Sequence, residues 1–205
     1  FNTITYLDSG ANQSYNALQV EATRRFANGF YLNAHYTWAK NLTDSLDSNQ
    51  LGALIQNAYD RAAERGNEAY TSRQRMEANF VYDIPVGKGR AHLASMPWYA
   101  DKVIGGWTLA GMYFARTGYW VTPSSTSSDP SNTGLTSQRP DCTANPNLPS
   151  DQRTLQRWFN TSAFATPSPG RFRNCGVNII ETPGANVFSL GVNKWFPIGE
   201  RFRFR

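Results

Sequence analysis

Ser14-Tyr15-Asn16-Ala17-Leu18-Gln19-Val20-Glu21-Ala22-Thr23-Arg24-Arg25-Phe26-Ala27-Asn28-Gly29-Phe30-Tyr31-Leu32-Asn33-Ala34-His35-Tyr36-Thr37-Trp38-Ala39-Lys40 is the stretch that decides the fold. In its first half the even positions carry Leu18, Val20 and Ala22, while the odd ones carry Gln19, Glu21, Thr23 and Arg25. That is a period of two, the signature of a strand with one apolar and one polar face. Asn28-Gly29 is the dipeptide that best tolerates positive φ in a tight hairpin. Alternation then resumes, with Leu32, Ala34, Tyr36 and Trp38 against Asn33, His35 and Thr37. The stretch predicts a hairpin with strands near 15–26 and 31–40.

The same pattern recurs downstream. Over 74–85, Met76, Ala78, Phe80, Tyr82 and Ile84 oppose Arg75, Glu77, Asn79 and Asp83. Further strands are predicted over 106–118, 186–196 and 201–205. Between them the connections alternate in length. Asn28-Gly29 and Pro197–Glu200 are short and 86–105 is intermediate, whereas 41–73 and 119–185 are long. Loops beyond about 15 residues are uncommon in compact domains, and short turns on one side with long loops on the other are characteristic of outer-membrane barrels.

Composition narrows the class. Charged residues make up 17% of the 205 and aromatic residues 14%, against about 25% charged for an ordinary soluble domain. Leu, Ala, Glu and Lys do not dominate, so a coiled coil is excluded, and no apolar run is long enough for a spanning helix. The net charge of +5 is scattered rather than clustered, and no nucleic-acid partner is expected. No charged and then apolar leader follows Phe1, which predicts a mature chain or a piece of a longer one.

Two architectures fit the alternation. In a soluble β-sandwich the apolar face is buried against a second sheet. In a membrane wall it faces lipid, and the low charge and loop asymmetry favour this one. The fold class expected is therefore all-β, with antiparallel strands forming part of a transmembrane β-barrel and two long extracellular loops. Leu18, Val20, Leu32, Tyr36, Phe80, Tyr82, Leu190 and Val192 would face lipid, and Trp38, Trp107, Tyr119, Trp120, Trp195 and Phe196 would sit at headgroup level. Gln19, Glu21, Asn33, His35, Glu77 and Asn79 would line a hydrated lumen. Six strands cannot close a lipid-facing barrel, since the smallest have about 8. Residues 1–205 are thus expected to be a fragment of one barrel domain, or to need partner strands.

Specific motifs carry a resemblance. Ser14–Val20, Thr23-Arg24-Arg25-Phe26, Asn28-Gly29 and Tyr36-Thr37-Trp38-Ala39-Lys40 open an ordered set. Arg61-Ala62-Ala63-Glu64-Arg65-Gly66, Tyr82-Asp83-Ile84-Pro85-Val86-Gly87-Lys88-Gly89, Gly105-Gly106-Trp107, Arg139-Pro140-Asp141, Trp158–Phe164 and Pro183-Gly184 continue it. Together they resemble the C-terminal barrel of Oar-like TonB-dependent outer-membrane receptors of the acidobacterial type, which also carry a carboxypeptidase-regulatory-like domain. The chain departs from that pattern at Ser72-Arg73-Gln74-Arg75 and at Gly176-Val177-Asn178. The resemblance implies energy-coupled uptake of a ligand, outer-membrane localisation, and a plug domain and TonB contact supplied by other parts of the chain or by other proteins. It also implies that this segment is not an enzyme. The alternative is a secreted or cell-surface β-rich module, adhesive, carbohydrate-binding or filament-forming, that self-associates through strand edges.

Candidate sites cluster in the longest loop. Cys142 and Cys175 both fall there, and outside the inner membrane a disulfide is expected between them. Trp120, Arg157, Trp158, Phe159, Arg171, Phe172 and Arg173 combine rings and guanidinium groups able to stack on sugars or engage acidic groups. Packing of the loop on itself explains the same residues. Asn57–Glu68 reads as a solvated lid segment, either a short helix or a charged loop, with a ligand contact as the alternative. Gly87-Lys88-Gly89-Arg90 lacks the phosphate-loop pattern and reads as a turn. No nucleophile motif appears, and His35 and His92 are too far from the cysteines in sequence for a metal site, so neither a catalytic centre, a metal nor a cofactor is expected.

Overall fold

The quoted stretch forms two long strands, β1 (Gln13–Ala27) and β2 (Phe30–Thr43), joined by Asn28 and Gly29 at φ 53° and 77°. Both turn residues occupy the left-handed region, as a type I′ hairpin turn requires. This is a computed structural model, and it describes residues 9–45, 55–125, 129, 131–134, 138–165, 168–198 and 202–204. The remaining strands are β3 (Gly66–Asn67), β4 (Gln74–Asp83), β5 (Trp107–Arg116), β6 (Trp120–Val121), β7 (Asp141–Cys142), β8 (Phe164–Ala165), β9 (Ile180–Glu181), β10 (Ala185–Lys194), β11 (Phe196–Ile198) and β12 (Phe202–Phe204). One α-helix, α1, spans Trp98–Ile104.

The chain is all-β in class, and its main sheet runs β1-β2-β4-β5-β10, with β3 paired to the end of β2. The β2–β4, β4–β5 and β5–β10 pairings are antiparallel. The sheet is open, with β1 and β10 at its edges.

Several boundaries differ from those the alternation predicts. β1 and β2 run longer than 15–26 and 31–40. β4 stops at Asp83, because Pro85 has no amide to extend the ladder. The strand expected over 186–196 breaks at Trp195, whose N–H turns to the Gly106 carbonyl at 2.9 Å. After it, β11 pairs with β12 rather than continuing the main sheet. Of the strand expected over 201–205, Arg201 and Arg205 lie outside the described residues.

Two compact units emerge. The first, the wall unit, comprises Leu18–Trp38, Gln74–Arg116 and Ala185–Arg205. Its register places one apolar face against a mixed one, on which Met112, Phe114 and Val187 stand among the polar side chains. Leu32, Phe80, Gly111 and Leu190 lie in one row across four strands, flanked by Phe30-Tyr82-Leu109-Val192 and Ala34-Ala78-Tyr113-Phe188. On the opposite face the rows read Asn33-Asn79-Met112-Ser189 and His35-Glu77-Phe114-Val187. The Phe80 ring lies over Gly111, where a Cβ would come within 2.3 Å of it, and stacks on Phe188 at 6.4 Å between centroids. Side chains on the apolar face thus pack on one another without a layer above them.

Exposure bears on the choice between the two architectures. Leu18 is 55% exposed and Leu190 52%, and Val20 and Val192 are similarly open. Among the described residues of this unit, Ala78 and Thr108 supply the buried side chains. A sandwich sheet would bury one complete face; among the described residues nothing covers either face of this one.

The second unit, the loop unit, comprises Phe1–Ala17, Ala39–Arg73 and Thr117–Gly184. The connection 119–185, expected as a loop, folds into two pairs of short strands, β6 with β9 and β7 with β8. Here lie the buried Leu148, Ala163, Cys175, Val177 and Ile180, together with buried Gln56, Glu64, Arg139, Asp141 and Arg173.

Candidate functional site

The loop unit is held by buried charge. Glu64 ends the 3-10 turn Arg61–Glu64, which Asp60 caps by accepting from Ala63 N–H. The Glu64 side chain is 1% exposed and meets Arg139 in a fork: Arg139 Nη1 donates to Oε2 at 2.6 Å and Nη2 to Oε1 at 3.0 Å. Gln56 ties this pair to the rest. Its N–H donates to Glu64 Oε1, its side-chain oxygen accepts from Arg139 N–H, and its Nε2 donates to the Arg173 carbonyl. Most of Asn57–Glu68 is solvated, as expected, but Glu64 is not. The turn delivers a carboxylate into the interior, and a two-donor guanidinium matches it.

A second ionic knot surrounds the cysteines. Cys142 and Cys175 form a disulfide, with Cα atoms 4.9 Å apart. Asp141, next to the bridge, accepts from Arg171 Nη2 at 2.8 Å and lies 3.7 Å from Arg173 Nη1. Arg173, expected at a ligand-binding rim, is instead buried, so its side chain cannot meet a ligand from solution without rearrangement. Its Nε and Nη2 have no acceptor among the described residues. Arg171 remains largely exposed.

The aromatic candidates divide. Trp120, on β6, pairs with Glu181 on β9, and the Arg73 guanidinium lies 5.6 Å from its ring centroid. Trp158 donates its indole N–H to the Glu181 carbonyl at 2.6 Å, and Arg153 sits 5.6 Å from its ring while also pairing with the Glu181 carboxylate at 3.4 Å. Trp158 and Arg153 thus meet at Glu181, whose strand partner Trp120 is covered in turn by Arg73. Phe159 packs edge-on against Phe164, Phe172 is half-buried, and Arg157 is exposed. Glu181, Arg73 and Arg153 do not stand out from the sequence, where their only signal is being charged residues in a charge-poor chain.

The polar face of the wall carries its own network. Asn33 Nδ2 donates to Glu21 Oε1 and Thr23 Oγ1 at 3.2 and 2.9 Å, and Asn33 Oδ1 lies 2.7 Å from His35 Nε2. Arg75 pairs with Glu77 and covers the Phe114 ring, while Thr108 donates to Asp83 at 2.7 Å. Among the described residues, no group of three or more His, Cys, Asp or Glu side chains is placed to hold a metal. No helix among them is long and apolar enough to cross a membrane. Strands closed into a barrel are the other structure that can span one.

A family model described as an outer membrane beta barrel domain matches residues 1–205. The chain belongs to that outer-membrane β-barrel family. Membership accounts for a sheet with one apolar and one more polar face, and it places the protein in the bacterial outer membrane rather than free outside the cell. Comparison with curated proteins and with solved structures gave no match.

Proposed function

We propose that this chain is a wall-and-loop segment of a TonB-dependent receptor that takes up a ligand across the outer membrane. The observation that carries the reading is structural: an uncovered two-faced sheet shares its chain with long connections that fold into a unit with its own core. Long loops are common to outer-membrane barrels, and a cross-linked loop unit with its own core offers a rigid surface on which a ligand can be selected. The ordered motifs from Ser14 to Gly184 support the finer assignment by resemblance.

In this reading Leu18, Val20, Leu32, Tyr36, Phe80, Tyr82, Leu190 and Val192 face lipid, and the Glu21-Asn33-His35 network faces water or a plug. Trp120 and Trp158, with Arg73 and Arg153, present the rings and cations on which a sugar or acidic ligand stacks. The segment performs no covalent chemistry. Energy arrives through a plug and TonB, and further strands, from the same polypeptide or a second copy, pair with β1 and β10 to complete the wall.

The test uses the full-length protein. It is expected to bind the purified periplasmic domain of TonB, and planar bilayers holding it are expected to stay closed. Failure to bind TonB together with steady passive conductance overturns the receptor reading in favour of a pore.

A further inference from the structure

We propose that α1 and the turn before it form a docking site for anionic phospholipid headgroups at the short-turn end of the wall. This rests on the reading that the apolar face of the sheet meets lipid.

The helix is inside out with respect to water. Trp98, Tyr99, Lys102 and Val103 occupy one outward arc, with Trp98 65% and Val103 68% exposed. The less exposed positions are Ala100 and Asp101. A helix meeting only water would place these side chains the other way round. Asp101 is turned inward, where its Oδ1 accepts from Lys88 N–H at 2.7 Å and its carbonyl accepts from Gly105 N–H. Leu93, just before the helix, is also exposed and sits at φ 60°, a conformation a leucine rarely adopts.

The patch continues onto the sheet. Trp107 at the start of β5 donates its indole N–H to the Val103 carbonyl at 3.1 Å. Lys194 donates to the Val103 and Gly105 carbonyls at 2.9 and 2.6 Å, closing the C-terminal end of α1, and its ammonium lies 4.7 Å from the Trp107 ring centroid and 5.3 Å from that of Phe196. Trp107 and Lys194 are partners in the β5–β10 register, so the helix is tied to the wall's last row. Rings with a polar edge settle at headgroup depth.

Charge selects the headgroup. Between Val86 and Gly106 three bases, Lys88, Arg90 and Lys102, face one acid, Asp101, whose carboxylate is already engaged. Lys88, Arg90 and Lys102 are all exposed, and the Lys102 ammonium lies 4.9 Å from the Trp98 ring centroid, at the edge of the apolar patch. Basic side chains beside an apolar stripe are the recognition chemistry of anionic lipid.

The experiment places nitroxide labels at Val103→Cys and, as a second position, Tyr99→Cys of the full-length protein in phosphatidylcholine vesicles with and without phosphatidylglycerol. A label at Leu190→Cys reports the wall. Labels at 103 and 99 are expected to collide with dissolved oxygen in preference to a water-soluble nickel chelate, with the preference growing as phosphatidylglycerol is added. Retention of phosphatidylglycerol is expected to fall roughly fivefold for each of Lys88→Gln, Arg90→Gln and Lys102→Gln. Water-exposed labels at 103 and 99 beside a lipid-exposed label at 190 overturn this inference alone, as do labels shielded from both reagents, which would mean that protein covers α1. Equal behaviour in both vesicle types overturns it too. A water-exposed label at 190 overturns the reading of the wall.

Discussion

Glu64 and Arg139, 75 residues apart in sequence, form a two-point ion pair inside the loop unit, with Glu64 almost wholly out of solvent. Breaking such a pair strands a buried charge, which costs about 3 to 5 kcal/mol, whereas replacing both partners with apolar residues is far milder. Glu64→Gln is therefore expected to loosen the loop unit severely, and Glu64→Leu/Arg139→Met to recover much of the loss. Limited proteolysis in detergent reads both; a double variant as fragile as the single one contradicts the argument.

The two faces of the wall make opposite demands on a new charge. Leu190 and Ser189 are neighbours on β10, in the rows of Phe80 and of Asn79. A charge at the bilayer midplane on the lipid side costs about 2 to 4 kcal/mol, while lumen positions tolerate it. Leu190→Arg is expected to lower the denaturant midpoint of the folded barrel in lipid vesicles, and Ser189→Arg to leave it nearly unchanged. Equal effects would show that the faces do not meet different solvents.

Gly111 is the contact point of the apolar face. A Cβ there falls within 2.3 and 2.4 Å of Phe80 Cε1 and Cζ, so the ring must shift, which disturbs its stacking on Phe188. Overpacking of this kind costs typically about 1 to 3 kcal/mol. Gly111→Ala is expected to destabilise the barrel within that range, and Phe80→Leu in the same chain to relieve it, as measured by equilibrium unfolding.

What was legible in the sequence was whatever depends on period two. The strands around Leu18, Leu32, Phe80 and Leu190 and the turn at Asn28-Gly29 follow from local alternation and turn chemistry. Long-range charge matching was not legible: Arg61–Gly66 and Arg139-Pro140-Asp141 stood out as motifs, yet nothing local says that Glu64 seeks Arg139 or that Asp141 gathers Arg171 and Arg173. The short pairs β6–β9 and β7–β8 were invisible for a similar reason, since two residues are too few to show a period. Trp98-Tyr99 and Val103 hid α1 because its apolar side chains point outward, against the pattern by which amphipathic helices are recognised.

Asp44 ties the start of β1 to the end of β2. Its carboxylate accepts from Asn12 N–H, and its own N–H donates to the Asn12 carbonyl at 3.1 Å. The Asn12 hydrogen bond holds the Asp44 carboxyl below its ordinary value of 3.8. A lowered folded pKa stabilises above the unfolded value and loses that effect as pH falls through the folded one. Amide-exchange protection at Asn12 is therefore expected to be constant above about pH 5 and to fall below pH 3.8. Asp44→Asn should flatten the profile, and an unchanged profile would sink the assignment.

The Cys142–Cys175 bridge does not act alone. Asn174 clasps the same two segments: its Oδ1 accepts from Cys142 N–H at 2.6 Å, its Nδ2 donates to the Cys142 carbonyl at 3.2 Å, and its own N–H donates to Asp141. Closing a separation of 33 residues is worth roughly 3 to 4 kcal/mol in the chain-entropy model. Reduction removes that constraint on the unfolded loop but leaves the Asn174 clasp and the Arg171–Asp141 pair in place. Cys142→Ser/Cys175→Ser is thus expected to raise protease sensitivity within 143–174 moderately, and adding Asn174→Ala to raise it sharply, while unfolding of the wall in vesicles stays unchanged. If Asn174→Ala adds nothing to the loss of the bridge, the clasp does not hold these segments, and the disulfide alone secures this part of the loop unit.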